Sequence, residues 1–576
     1  MKAVARASWY LAALGGCTAL QTRQTRADAA ADAPIDVCDD ACRPDVAAPR
    51  LVAPLSGTTL RSQRPSLRWE LSGGDGGRVA LCHDRAMTLG CVTFDAEGTT
   101  ATPGETLAQG VWYWRVTTRA AGATTDARSA TWQLRVGTVD SARGTTRDVD
   151  GNGERDLAVG APRVSGHAGR LYVYTRGVHR TEMPERLVRR GAVNSEFGSS
   201  VAHVGDVNGD GYDDLAVGAW GENRVWVFPG TTGSLALVGA PIEGADNLER
   251  FGERVAGAGD VNGDGYDDLV VSARVPNVSD PGRSSGRAYV YLGGPDGVST
   301  VAASTLTTQG DTSVVVGACG AGDVNGDGYD DVALGAGGAT GNAGRVYVFH
   351  GGPDGLSEAP ATTLVGVDLM GQFGLTLSPA RDVNGDGYGD LFVGAPYASE
   401  PRDGGIAERI GKVFVFHGGP AGLGARPSTT LVGASYGAGL GGGIAPGADF
   451  DGDGYDDLFV GAQGQPAYQG SASLYRGGPE GLASRPFLSR NGVDGMDTSY
   501  GFMLTIAGDL NGDGRVDLVV TGVGAEHNAG RVYVYFGEEG GVSATPTLIT
   551  GPDGAQGVFG WSIARAPRVV DALRVL

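Results

Sequence analysis

Short apolar runs, each led by an acidic loop and most closed by Gly-Ala, recur along most of the chain. DLAVGA (214–219), DLVVSA (268–273), DVALGA (331–336) and DLFVGA (390–395) are four of them. Their length and β-branched content predict short strands. Downstream stand RVWVFPG, RAYVYLGG, RVYVFHGG and KVFVFHGG, in which β-branched and aromatic residues alternate. Upstream stands an FG-type run such as FGSSVAHVGD (197–206), and a GGPDG or GGPEG turn leads to a weaker run such as TTLVG (362–366). That makes four strands per unit. The acidic loops start at 148, 206, 260, 323, 382, 449 and 509, a period near 60 residues. Such a period marks a repeat architecture, and four-stranded units repeated around a ring make a β-propeller, which leaves few strand edges exposed. The predicted fold is all-β: a seven-bladed β-propeller over 138–576, preceded by a small β-sandwich over 49–137.

The acidic loops share one nine-residue form. DVDGNGERD places Asp148, Asp150, Asn152, Glu154 and Asp156 at positions 1, 3, 5, 7 and 9. DVNGDGYDD does the same with Asp206, Asn208, Asp210, Tyr212 and Asp214, with Asp260, Asn262, Asp264, Tyr266 and Asp268, and with Asp323, Asn325, Asp327, Tyr329 and Asp331. DVNGDGYGD carries Asp382, Asn384, Asp386, Tyr388 and Asp390. DFDGDGYDD carries Asp449, Asp451, Asp453, Tyr455 and Asp457, and DLNGDGRVD carries Asp509, Asn511, Asp513, Arg515 and Asp517. Positions 1, 3, 5 and 9 are always Asp or Asn, and position 6 is always Gly. Position 8 wanders through Arg155, Asp213, Gly389 and Val516, so it is not read as a ligand. A hard cation takes six to eight oxygens at about 2.3–2.6 Å. Side chains at 1, 3, 5 and 9 and the carbonyl of residue 7 supply most of them, and Gly at 6 permits the sharp turn. The loop is not an EF-hand, because position 12 holds Val217, Val271 or Val393 instead of Glu. The bland alternative is a set of metal-free Asn-Gly and Asp-Gly turns. Repetition with the ligand positions held and position 8 free favours calcium, about seven ions in all.

FG, then DxNGDGxxDLxVGA, then GxVYVY, resembles the FG-GAP repeat of the integrin α-subunit propeller and its bacterial relatives, over about 148–566. The resemblance implies a seven-bladed propeller with calcium in the loop between the first two strands of a blade. It also implies an exported scaffold, usually for adhesion. This chain departs from integrins in carrying the loop in all seven units and in having Val315-Val316 in place of one FG. It shows no leg domains, so an integrin β-like partner is not expected.

The first seventeen residues read as a lipoprotein leader. Lys2 and Arg6 precede a short apolar stretch, and Leu14-Gly15-Gly16-Cys17 resembles a bacterial lipobox. Cleavage before Cys17 and its lipidation are expected, with Thr18 favouring the outer membrane. Residues 18–48 read as a flexible tether. Cys38 with Cys42, and Cys82 with Cys91, are expected disulfides of an oxidising compartment, and Cys319 a small buried core residue. Over 49–137, PSLRWEL, RVALCHD, GVWYWRV and ATWQLRV alternate as strands and hold Trp69, Trp112, Trp114 and Trp132. This pattern resembles a fibronectin type III-like sandwich and is read as a spacer.

Composition refines the picture. Gly is 100 of 576 residues without a three-residue period, which excludes collagen, and the net charge is −21. The loops hold much of that acidity. No basic stripe is present, which argues against nucleic acid. No catalytic motif stands out, and His350 and His417 share one repeat position that reads as structural. Two function classes remain: a surface-anchored adhesion scaffold for a protein or glycan ligand, or a polysaccharide-active, lyase-like enzyme or its carbohydrate-binding companion. Arg274, Arg283, Arg402, Asp403, Glu408 and Arg409 on the longest loops are candidate ligand contacts. The membrane is expected to be met only through the lipid. Finally, the first loop lacks an FG run before it and FGWSIARA (559–566) lacks a loop after it. These halves are expected to pair and close the ring.

Overall fold

The computed structural model describes residues 48–565 except 61, 72–75, 119–126, 137–155, 175–185, 231–240, 246–248, 277–283, 313–315, 403–404, 408, 465–468, 494–497 and 555–556. Seven four-stranded antiparallel sheets are found among the described residues; six follow chain order, two of them with a two-stranded hairpin inserted, and one does not. In a typical sheet, Ser200–Gly205 pairs with Asp214–Ala219, then Arg224–Phe228, then Ile242–Glu243. The exceptional sheet combines Leu157–Ala161, Arg170–Tyr174 and Arg186–Arg190 with Ser562–Arg565 from the far end of the chain. The first strand of each sheet touches the first strand of the next, and Ser562–Arg565 touches both Tyr500–Gly508 and Ser200–Gly205. The sheets therefore form a closed ring, a β-propeller.

Position in the ring explains the apolar pattern. The second strand lies inside its sheet with a neighbouring sheet against each face. All six residues of Asp214–Ala219 are accordingly buried, as are those of Asp331–Ala336 and Asp390–Ala395. The fourth strand meets solvent on one face, so Thr362–Val365 alternates. Each apolar cluster spans two sheets. Leu157, Val159 and Tyr172 of the first sheet pack with Val519, Val532 and Val534 of the last.

The FG and GA signatures meet in space. Gly252, which follows Phe251, has φ +85° and donates its N–H to Ser272 O at 3.1 Å. Its own carbonyl lies against Gly218 of the preceding sheet, so close that a Cβ on Gly218 would stand 2.1 Å from it. Gly160 meets Gly198 in the same way. Phe251 stacks edge-on against Tyr289 and Tyr291 of its own sheet. Gly218→Ala is therefore expected to push two sheets apart and cost about 1–3 kcal/mol, the usual scale of overpacking. Urea denaturation measures it, and an unchanged midpoint would contradict the contact.

The N-terminal unit is two sheets around one core. Arg50–Ala53, Leu67–Glu70 and Thr100–Ala101 form the smaller; Thr58–Leu60, Trp132–Val136, Gly110–Thr118, Gly76–Cys82 and Val92–Glu97 form the larger. Trp69, Trp112, Trp114 and Trp132 fill the space between them. Cys82 is bonded to Cys91. Sandwich and propeller together make one compact unit, Val46–Leu576.

Candidate metal centre

Each described loop leaves a first strand and enters a second. In the Asp206 loop the short acidic side chains fold the backbone around themselves. Asp210 N donates to Asp206 Oδ1 at 3.0 Å and to Asn208 Oδ1 at 2.9 Å. Gly211 N donates to Asp206 Oδ2, and Tyr212 N to Asp210 Oδ1, both at 2.9 Å. Asp and Asn favour such local bonds, which is why this composition makes this turn. The side chains at 1, 3 and 5 are thereby tied to the turn, and Asn208 Nδ2 also donates to Asp210 Oδ2 at 2.9 Å. The pattern returns at Asp260, Asp323, Asp382 and Asp509.

Position 9 has a second duty. Both oxygens of Asp214 accept backbone N–H groups, from Val207 at 2.9 Å and from Gly230 at 2.8 Å. Asp268, Asp331, Asp390, Asp457 and Asp517 repeat this. The carboxylate pins the loop to the turn after the third strand. Each of its oxygens keeps a further lone pair for an ion.

Three carboxylates converge in one place among the described residues: Asp449, Asp451 and Asp453 bring an oxygen each to within 4.8 Å of one another. The other fully described loops carry Asn at position 3, whose Nδ2 donates to the carboxylate at position 5. The crowding is costly without a cation. Burial, with neighbouring carboxylates adding to it, pushes Asp260, Asp323 and Asp382 up to about 7. Burial likewise raises Asp214 to about 8 and Asp268 to about 9. An all-oxygen donor set that resists carrying its charge alone fits a hard divalent cation. Asp156 is buried at the head of Leu157–Ala161. Asp148, Asp150, Asn152, Glu154, Cys17, Cys38 and Cys42 lie outside the described residues, as do Arg283, Asp403 and Glu408.

Other contacts were missed by sequence reasoning. Position 8 is an inter-loop tie. Asp267 Oδ2 accepts from Asp206 N at 2.8 Å, Asp330 Oδ2 from Asp260 N at 2.9 Å and Asp456 Oδ2 from Asp382 N at 3.2 Å. Gly389 lacks the carboxylate but still donates its N–H to Asp323 O at 2.8 Å. The tyrosine at position 7 lies over the fourth-position glycine of the preceding loop, Tyr266 over Gly209 and Tyr329 over Gly263. The loops from 206 to 449 thus form a connected girdle, which stops where Arg515 and Val516 replace Tyr and Asp. The residue just after the third strand attends its loop. His417 Nδ1 is 3.3 Å from Asn384 Nδ2, and Arg476 Nε pairs with Asp451 at 2.7 Å, where position 3 gains a carboxylate. Arg274 is held by Glu253 at 2.6 Å, and Arg409 lies 5.6 Å from the Tyr397 ring. The sandwich also sits on the loops: Tyr113 Oη donates to Gly263 O at 3.1 Å and Trp132 Nε1 to Gly326 O at 3.3 Å.

Fold and loops together define the class, a β-propeller with an acidic turn-forming loop at the first hairpin of its sheets. The FG-GAP repeat profile matches residues 143–174, 318–349 and 373–416, and the FG-GAP-like repeat profile matches 206–271 and 449–520. The chain carries FG-GAP repeats and is similar in sequence to integrin alpha chains. It is 38% identical to human integrin alpha-IIb over 169 residues, covering 29% of this chain and 16% of that protein. It is 42% identical to Drosophila melanogaster integrin alpha-PS2 over 158 residues, covering 24% and 11%. The chain spans under a fifth of the length of these relatives. Among solved structures, a protein assigned as a 6-phosphogluconolactonase from Bacteroides uniformis aligns with TM-score 0.44 and 14% identity, over 69% of this chain and 96% of that one.

Proposed function

We propose that the protein is a calcium-stabilised binding scaffold of the adhesion kind, displaying loops to a protein or glycan ligand. The observation that carries this reading is the repeated Asx-turn loop, with the side chains at positions 1, 3 and 5 accepting the loop's own N–H groups and, at Asp449, Asp451 and Asp453, three carboxylates converged. Likeness to integrin alpha chains supports an adhesion role over an enzymatic one. The ions are structural in this reading: they neutralise the loops and hold adjacent sheets in register. The test is an array of glycans and proteins probed with the full chain, with and without calcium. Saturable, calcium-dependent binding without turnover supports the scaffold; depolymerisation of a bound polysaccharide would replace it with the enzyme reading.

The anchor is part of the proposal. Cys17→Ser is expected to release the protein from the membrane fraction into the soluble fraction. Fractionation followed by immunoblotting reads this directly, and an unchanged membrane share would remove the lipid anchor.

A further inference from the structure

The sandwich rests on four consecutive loops and does not treat them alike. At the Asp260 loop it takes carbonyls: Tyr113 Oη reaches Gly263 O, and Arg135 Nη2 reaches Gly265 O at 2.8 Å. At the Asp323 loop Arg85 donates to Gly328 O at 3.0 Å and Asp327 O at 3.3 Å, and Trp132 to Gly326 O. Arg85 also lies 3.6 Å from the Tyr329 ring centre, and at the Asp382 loop Arg50 lies 5.2 Å from the Tyr388 ring. These are contacts to positions 4 to 6 and to the ring at position 7. They leave untouched the side-chain oxygens at 1, 3, 5 and 9 and the seventh carbonyl.

The Asp206 loop is different. There Arg135 Nη1 pairs with the carboxylate of Asp206 itself, at position 1, and Nη2 stands 3.9 Å from Asp267. The side chains of Arg135 and Asp206 are only 10% and 9% exposed. Burial pulls the guanidinium pKa down, but Asp267, Asp206, Asp260 and Asp213 more than offset it and hold the charge on.

We propose that Arg135 is the resident cation of the Asp206 loop, so that this loop takes calcium only as the sandwich gives up its hold. The proposal rests on the calcium reading of the loops. A carboxylate already neutralised by a buried guanidinium offers less to a second cation, and an ion entering the loop meets a like charge. Breaking a buried pair is costly because it strands one partner. Elsewhere sandwich and ion use different atoms and do not compete. By linkage, filling the Asp206 loop loosens the sandwich as much as the sandwich weakens that site. The place matters: Leu55, Ser56, Gly57, Thr58 and Trp132 line an axial cavity of about 480 Å³ together with the first strands of the ring.

The test combines calcium calorimetry with hydrogen exchange on the full chain. The wild type is expected to show one ion bound about tenfold or more weakly than the rest. Asp210→Ala, which removes a ligand of that loop without touching Arg135, should delete this weak class. Arg135→Gln should tighten it into the range of the others. In the wild type, exchange at 132–136 should rise only as the last ion binds, a measurement that needs no variant. Tight ions without a weak class, a weak class unmoved by Arg135→Gln, or exchange at 132–136 indifferent to the last ion would each overturn the proposal and leave the calcium reading standing. A chain that binds no calcium in any loop would overturn both.

Discussion

Stripping calcium from the full chain with EGTA is expected to unfold the propeller at temperatures where the loaded protein remains native. A ligand that binds only the folded state stabilises it by about 2.7 kcal/mol per site at a hundredfold excess over its Kd. A whole domain is stable by only about 5–15 kcal/mol, so a handful of such sites accounts for all of it. Emptying them also leaves carboxylates pressed together, with Asp331 buried, Asp330 half-buried, and both driven well above the ordinary carboxylate range by loss of solvent and by Asp323. The ties from Asp267, Asp330 and Asp456 to the loop before each make the loss cooperative around the girdle. Circular dichroism melts with and without EGTA check this, and Asp264→Ala and Asp327→Ala should each lower the melting temperature and remove one ion. Superimposable melts would count against it.

Deleting residues 559–576 should have the next largest effect. Ser562–Arg565 supplies the first strand of the sheet that Leu157–Ala161 occupies, with Ile563 opposite Val159. Phe559 is buried 5.4 Å from the Tyr172 ring, and Ser562 Oγ donates to Gly198 O at 2.8 Å across to the next sheet. Removal exposes the edge of Leu157–Ala161, uncovers the apolar cluster between the first and last sheets, and leaves the ring unlatched. Losing Phe559 alone from that cluster costs about 3–5 kcal/mol. Aggregation on expression, or a melting temperature far below that of the full chain, is the expected result. A truncated protein that melts like the full chain would show that closure carries no stability.

The repeat was legible because its signals are local. The buried second strands read as apolar runs, the third strands as alternating ones, and the loops as fixed acidic positions within nine residues. The half-repeats at 148 and 559 pointed to each other because each lacked what the other has. What escaped notice joins residues far apart in sequence. The varying residue at position 8 looked idle, since its partner, the N–H at position 1, lies in the preceding repeat. Tyr266 and Tyr329 read as carbonyl donors, whereas their rings cover glycines one loop back. Arg135 is a polar residue of an alternating run and carries no signal of its own. It faces the loops because the sandwich is seated on the ring, and nothing within WQLRV announces that. Tyr500 does the work of the FG phenylalanine, stacking 5.0 Å from Tyr533; a search for aromatic-Gly before each loop would have found it.

The number of ions the folded chain holds tests most directly whether the acidic loops are calcium sites. Elemental analysis after equilibrium dialysis against saturating calcium, on the full chain at known concentration, counts them. About seven calcium ions per chain are predicted, one for each acidic loop. A folded protein with no bound calcium would contradict the account.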